Sequence, residues 1–249
     1  MKPRYSAFAL FRQGLRGHEG WRRAWRSPAP RARYDAVIVG GGGHGLAAAY
    51  YLSHYHGISN IAVLEKGYLA GGNTARNTTT VRSNYLTLPS IEFYREGVSL
   101  FETMSQELGF NVMFSQRGQL TLAHSDAAMR SFRLRAEMGK HAGIRAEVVD
   151  AQTVQELCPH VNMDFGGQHE VLGGLWHADG GTARHDAVAW GYARAAAARG
   201  VDIIQNCPVT AIRRNADGSV AGVETARGFI RAKKVAVSAA GHTSVVMES

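Results

Sequence analysis

The chain has only two cysteines in 249 residues, Cys158 and Cys207, and neither sits in a CxxC pair or at a ligand spacing from a histidine. That argues against a disulfide framework and a thiolate metal centre, so no metal is expected and both read as buried, inert thiols. Long apolar runs are missing as well. No stretch approaches the roughly 18 residues of a membrane span, and the start lacks the continuous apolar core of a signal peptide. Acidic residues are nearly absent from 1–33, where Glu19 alone faces Lys2 and the arginines at 4, 12, 16, 22, 23, 26, 31 and 33. This arm therefore carries the whole formal charge of +8, and the remainder is balanced at nineteen residues of each sign. The basic character describes an arm and not a nucleic-acid-binding surface. Its Arg-rich make-up, with Phe8, Leu10, Phe11, Trp21 and Trp25, fits two readings: an organellar transit peptide, or an arm that lies on a partner. Repeats are absent, and the only biased segment is the alanine run at 195–198. The expectation is a soluble, cytoplasmic chain with no nucleic-acid or membrane partner.

What is present concentrates at 34–65. Tyr34 to Val39 reads as a buried strand, GGGGHG follows at Gly40–Gly45, an Ala/Leu/Tyr helix comes next, and a second strand ends at Glu65. Glycines between a strand and a helix, with an acid 20 residues beyond Gly45, define a dinucleotide-binding unit. Gly40 permits the tight exit from the strand, Gly42 lets backbone approach a pyrophosphate, and Gly45 lets the helix pack on the sheet, with Gly43 in the same turn. Free N–H groups at the helix start, with the positive end of its dipole behind them, would face the phosphates. Glu65 would accept from the adenosine ribose hydroxyls, which favours an unphosphorylated ribose. His44 either touches the cofactor or points into solvent.

The run from Gly67 to Tyr85 holds Gly71, Gly72, Asn73, Arg76, Thr78, Thr79, Thr80 and Arg82. It is small, polar and donor-rich, suited to a backbone beside a pyrophosphate and a ring; a solvated loop is the other reading. Residues 90–108 show helical spacing, with Ser90 as cap and Gly109 as stop. Strands are expected at Val112–Ser115 and Gly118–Ala123, helices at Ser125–Ala142 and Asp150–Leu157, and a turn-rich return at Gly173–Gly181. There a packed Trp176 beside an exposed His177 is expected, a cleft-lining pair being the alternative. A helix over Asp186–Arg199, a buried strand in VDIIQ, short strands in CPVTAI, VAGVET and FIRA, and a strand at Lys234–Ser238 complete the α/β pattern.

These strings, above all GNTARNTT and ARHDAVAW with FSQRGQLTLAH and KKVAVSAAGHTS, resemble the β subunits of the heterotetrameric sarcosine oxidases over essentially the whole chain. The resemblance implies an α/β fold: a Rossmann-like FAD-binding domain, mostly parallel with a β-meander, from 34–109 and 178–249, part of a mixed α+β substrate domain over 110–177, and the arm at 1–33. It implies non-covalent FAD, with Lys66, Val209 (through its backbone, at the adenine) and the residues above as its site, and FMN tethered through its 8α carbon to His185. From the residues alone, His185 reads as a helix cap or a surface side chain. The implied reaction takes a hydride from the N-methyl carbon of sarcosine to FAD, passes electrons through FMN to oxygen, and gives H2O2, glycine and formaldehyde or methylenetetrahydrofolate. The implied partners are α, γ and δ subunits. Arg82 is the candidate cation for the substrate carboxylate or the flavin, because a guanidinium fits a carboxylate bidentately; a surface arginine is the other reading.

The family's chains run well past position 249, so a truncated chain with a flavin site open on one side is expected. Two other functions fit the same motifs: an FAD-dependent amine or amino-acid dehydrogenase without FMN, and a non-catalytic FAD-holding subunit or pseudoenzyme.

Overall fold

A computed structural model describes residues 6–19, 25–163 and 170–248. Part of the arm, including Lys2, Arg4, Trp21, Arg22 and Arg23, lies outside the described residues. In chain order the elements are helix α1 (Ala7–Leu15), strand β1 (Arg33–Val39), α2 (Gly43–Tyr55), β2 (Ile61–Leu64), β3 (Thr80–Val81), α3 (Leu88–Glu107), β4 (Gln119–Ala123), α4 (Asp126–His141) and β5 (Ala146–Asp150). Then follow α5 (Ala151–Leu157), β6 (Gly173–His177), β7 (Gly181–Thr182), α6 (His185–Ala198), β8 (Asp202–Ile204), β9 (Val209–Arg214), β10 (Val220–Thr225), β11 (Gly228–Val237) and α7 (Thr243–Met247). Short 3-10 turns occupy Asn73–Arg76 and Ala240–His242.

The chain forms two compact units. The first, from Met1–Asn77, Gln106–Val112 and His185–Ser249, is built on a six-stranded sheet in the order β8-β2-β1-β11-β10-β9. Strands β8, β2, β1 and β11 run parallel, and β11, β10 and β9 form an antiparallel meander. All four residues of β2 are buried, the near-continuous apolar run expected of a parallel strand covered on both faces. Tyr34, Val37 and Val39 of β1 pack with Leu64, Ile204, Val223 and Ile230, and α7 adds Val246. The segments expected as a short FIRA strand and a separate return strand are one ten-residue strand, β11. Its first residues pair with β10 and its later ones with β1 from Arg231 to Val237. Helices α2 and α6 pack through tyrosines, with Tyr51 and Tyr192 hydroxyls 3.2 Å apart.

The second unit, Thr78–Ser105 with Met113–Arg184, centres on an antiparallel sheet ordered β4-β6-β5 and a two-stranded pair of β3 and β7. Residues 78–105 thus group with 113–184, whereas the sequence reading assigned 34–109 to the cofactor domain. Apolar residues of α4 and the sheet, including Phe132, Ala136 and Leu175, make its core together with Ile144 from the α4–β5 connection and Ile91 of α3. The caps are local: the Ser125 hydroxyl accepts from Ala128 N–H at 3.2 Å, and the Asp150 carboxylate from Thr153 N–H at 2.8 Å. Helix α3 starts two residues before the expected Ser90 cap, with Pro89 in its first turn, where a missing N–H costs nothing.

Three expectations are corrected here. The Gly173–Gly181 return begins as β6, the central strand of its sheet. Gly173 and Gly174 are close-approach positions and not turn residues, since a Cβ on Gly174 would sit 2.9 Å from Leu120 Cδ1 and 3.0 Å from Thr121 O. The turn comes only after β6, where Gly180 N–H donates to His177 O at 3.2 Å. Val112–Ser115 is not a strand, because Met113 adopts φ 56° and only Ser115 makes a bridge, to Thr182. Cys207 is buried as expected, but Cys158 is only half-buried; neither is paired.

Candidate cofactor cleft and cationic cluster

The first unit carries a cleft of about 780 Å³ at the carboxyl end of β1 and β2, within the usual volume of small-molecule and cofactor sites. Strand β1 ends at Val39, and Gly40 turns with φ 112°; any side chain there would run into the Ser238 carbonyl oxygen, which follows β11. Gly40 N–H donates to Leu64 O, and Ser238 N–H to Val39 O, both at 2.8 Å, so three strand ends meet at this turn. Gly45 in the first turn of α2 packs directly on the Gly40 carbonyl, which only a residue without Cβ allows. Helix α2 has Gly42 at its N-cap, no side-chain cap from that residue, and no acid in its first turn. The positive end of its dipole is therefore left for an exogenous anion.

The Glu65 carboxylate is fixed beside this turn. Its Oε2 accepts from Gly41 N–H at 2.8 Å and its Oε1 from Gly67 N–H at 2.9 Å. A carboxylate has about four acceptor sites, so both oxygens can take a further donor each, as a ribose diol requires. The expected free N–H groups are fewer than the sequence suggested: Gly41 serves Glu65, and Gly43 N–H donates to Thr74 Oγ1 at 3.0 Å. A Cβ on Gly42 would lie 3.2 Å from the same hydroxyl.

Of the residues singled out in the sequence, Gly40, Gly42, Gly43, His44, Glu65, Lys66, Asn73, Arg76 and Val209 line the cleft, and Gly45 lies buried behind it. His44 is exposed there, so it both faces the cleft and meets solvent. The Arg76 guanidinium is partly committed, donating to Gly71 O and Gly72 O and stapling its own turn. The sequence reading missed Thr74, Ser238, His242 and Val246 in the lining. The expected strand end at Ser238 and the AAGHTS turn after it were the signal for Ser238 and His242.

His185 opens α6 in the same unit, half-buried, and its buried Nδ1 has no hydrogen-bond partner among the described residues. Next to it along α6, Asp186 and Trp190 border a shallow pocket of about 310 Å³ with Trp25, Tyr68 and Gln205.

Thr78, Thr79, Thr80 and Arg82 belong to the second unit. Thr79 has φ 61° and its carbonyl accepts from Ala183 N–H at 3.1 Å, while Thr80 pairs with Thr182. Arg82 Nη1 donates to Asn84 Oδ1 at 2.9 Å, and its Cζ lies 4.3 Å from the Tyr85 ring centroid. The adjoining Ser83 is held by His177, whose Nε2 is 3.2 Å from Ser83 N and 3.1 Å from its hydroxyl, while Nδ1 is 3.0 Å from Arg145 O. His177 is wholly buried and not exposed as expected, because β6 is central and both ring nitrogens find partners inside. Burial pushes its pKa down, against smaller raising effects of the Arg145 carbonyl and Asp179.

A parallel sheet with a glycine turn, a helix start free of acidic residues and a carboxylate at the next strand end defines a dinucleotide-binding α/β protein. The model of the FAD dependent oxidoreductase family matches residues 35–248, and the chain belongs to that family. Among its relatives, the sarcosine oxidase subunit beta of Rhizobium meliloti is 51% identical over 98% of this chain, and that of Rhodobacter capsulatus 50% identical over 98%. The chain spans 58% of the length of each of these two curated relatives. The L-proline dehydrogenase of P. horikoshii shares the fold, with TM-score 0.78 and 22% identity over 87% of this chain and 55% of its own. No helix among the described residues is long and apolar enough to cross a membrane.

Proposed function

We propose that this chain is the FAD-holding β-type subunit of an enzyme that oxidises sarcosine. The observation that carries the FAD part is the Gly40–Gly45 turn with Glu65 fixed beside it by Gly41 and Gly67 N–H. In this reading Gly40, Gly42 and Gly43 keep the backbone low under the pyrophosphate, and His44 and the positive end of α2 face its charge. Glu65 accepts from the ribose hydroxyls, Lys66, Asn73 and Arg76 border the phosphates, and the Val209 backbone meets the adenine. Thr78, Thr79 and Thr80 offer donors to the flavin, and Arg82 binds the substrate carboxylate bidentately.

When bound, FAD supplies the acceptor for the hydride of the N-methyl carbon and FMN a route to oxygen, so that sarcosine, O2 and water give glycine, H2O2 and formaldehyde, or methylenetetrahydrofolate where folate takes the carbon. His185 is the proposed FMN tether; its unpartnered Nδ1 supports the reading, since the ring is not committed to a protein partner. The names of the relatives, each a sarcosine oxidase subunit beta, support sarcosine as substrate and a multi-subunit enzyme; the proposed partners are α, γ and δ subunits. Two unpaired cysteines suit a reducing compartment and support a cytoplasmic setting.

Two measurements test this. Flavin-loaded chain is precipitated with acid: colour that stays in the pellet of the wild type and leaves that of His185→Asn is expected, and complete loss from the wild type refutes the tether. Anaerobic sarcosine is then added to the flavin-saturated protein. Bleaching of the flavin band is expected, and an unchanged spectrum rules out the substrate assignment.

A further inference from the structure

Two cations of the second unit converge on one neutral residue. Arg82 Nη1 donates to the side-chain oxygen of Asn84 at 2.9 Å, and Arg135 Nη2, from α4, donates to the backbone oxygen of the same Asn84 at 2.8 Å. Asn84 is buried, so both guanidiniums are drawn partly out of water to reach it. Among the described residues neither forms an ion pair with an Asp or Glu. Each guanidinium has five N–H donors, and the Arg135 Nε–H is buried with no acceptor among the described residues. Two half-buried like charges facing carbonyl oxygens are an incomplete arrangement, because desolvated cations are stable only when an anion compensates them. Burial and then the Arg82 charge push the Arg135 guanidinium below its usual range, as this crowding requires.

The surroundings are rigid. The Asn84 amide nitrogen donates to Gln119 Oε1 at 3.0 Å, and Gln119 in turn donates to Thr121 Oγ1 at 2.7 Å on β4. Tyr85 lies under Arg82 and stacks on Tyr94 with centroids 4.0 Å apart, giving the cluster an aromatic wall. Fixed donors in forked geometry against a flat wall suit a small planar anion that accepts N–H bonds in its own plane at both oxygens, which is a carboxylate.

We infer that Arg82 and Arg135 together form a seat for a small monocarboxylate, with Arg135 as a second anion-binding residue. That this carboxylate belongs to the oxidised amino acid rests on the function proposed above; the seat itself does not. Arg135 sets specificity in this reading: an amine lacking the carboxylate leaves two cations facing each other and is rejected.

The experiment uses protein with arginine side chains labelled with ¹⁵N, and follows the buried Arg135 Nε–H signal, assigned by its loss in Arg135→Lys. Acetate, which cannot be oxidised, is titrated in at low chloride. The expected result is a saturable shift of this signal, and in the Arg135 variants of the Arg82 Nε–H signal assigned by its loss in Arg82→Gln, with acetate affinity falling about tenfold or more in Arg82→Gln and Arg135→Gln, less in Arg135→Lys, and not at all in Arg133→Gln, an exposed arginine of the same helix. Arg135→Lys keeps a charge and a donor, so it guards against a mere folding defect in the glutamine variant. No saturable shift in the wild type, or equal acetate affinity in the wild type, Arg135→Lys and Arg135→Gln, overturns the seat. If acetate binds with this dependence while sarcosine never bleaches the flavin, the seat stands and the sarcosine reading falls. If sarcosine bleaches the flavin with the same half-saturation in wild type and Arg135→Gln, the sarcosine reading stands and the role of Arg135 toward the substrate carboxylate falls, the acetate titration alone deciding the seat.

Discussion

Gly45→Ala isolates the close contact on which the cofactor turn depends. In an ordinary helix, replacing Gly by Ala stabilises by about 1 kcal/mol, because alanine restricts the unfolded chain more. At Gly45 the new Cβ would overlap the Gly40 carbonyl oxygen and lie 3.2 Å from the Gly40 carbonyl carbon and 3.4 Å from Ile38 Cγ2. A backbone carbonyl cannot turn aside as a side chain can, so the overpacking cost belongs at the upper end of its range, about 3 kcal/mol. The net expectation is a loss of about 2 kcal/mol from these two terms. Gly97 in α3 has nothing within 4 Å of its would-be Cβ, so Gly97→Ala should gain up to about 1 kcal/mol. Urea unfolding of the two variants should therefore differ by about 3 kcal/mol, and the sign should reverse between them. Because the displaced carbonyl belongs to the turn under the pyrophosphate, FAD titration of Gly45→Ala should also show at least about tenfold weaker binding, roughly 1.4 kcal/mol. Gly97→Ala is the control here too, since Gly97 does not line the cleft and its replacement should leave FAD affinity unchanged. Should Gly45→Ala stabilise the protein as Gly97→Ala does, the helix does not approach the strand end this closely and the argument for the turn collapses.

Replacing Glu65 by Gln puts an NH2 group against Gly41 or Gly67 N–H, and a cost of about 1–3 kcal/mol in urea unfolding with weaker FAD binding is expected; unchanged values would show that both oxygens are not used. Thr74→Val removes the acceptor of Gly43 N–H and should cost about 1 kcal/mol, measurable as a lowered urea midpoint, while Thr74→Ser should retain most of it. His177 gives a pH test. Its folded pKa is depressed by burial below the ordinary 6.5, so the unfolded chain binds the proton more readily, and stability that is fully present above about pH 6.5 is lost as the pH falls below it. Chemical denaturation between pH 7.5 and 5 should show this slope and His177→Gln should lack it; equal slopes would place the titrating group elsewhere.

The parts legible in the sequence are those made by neighbours along the chain. Alternating and helical spacing marked most strands and helices, Ser125 and Asp150 declared the starts of α4 and α5, and the Gly40–Gly45 turn with Glu65 located the cleft. Each depends on side chains within a few residues of one another, or within one strand-helix-strand unit. Where glycine carried two possible meanings, the reading failed. Gly173 and Gly174 looked like a turn and are close-approach positions in a central strand, which only the neighbouring strands reveal. The 112–115 segment has an apolar and extended composition, yet the positive φ of Met113 ends any strand there.

By itself the sequence determined the dinucleotide fingerprint, the balance of charge outside the arm and the family, because these are matters of residue type at fixed spacing. Tertiary structure alone decided what those residues have left to offer. It brought Thr74 to the start of α2, 31 residues from the Gly43 N–H that it accepts. It buried His177 against Ser83, 94 residues away, and led Arg135 to Asn84 across 51 residues. Strand register and loop closure make such meetings, and no local pattern records them. The same residues that read as a donor-rich loop and a charged helix face became, once folded, two cations on one buried asparagine.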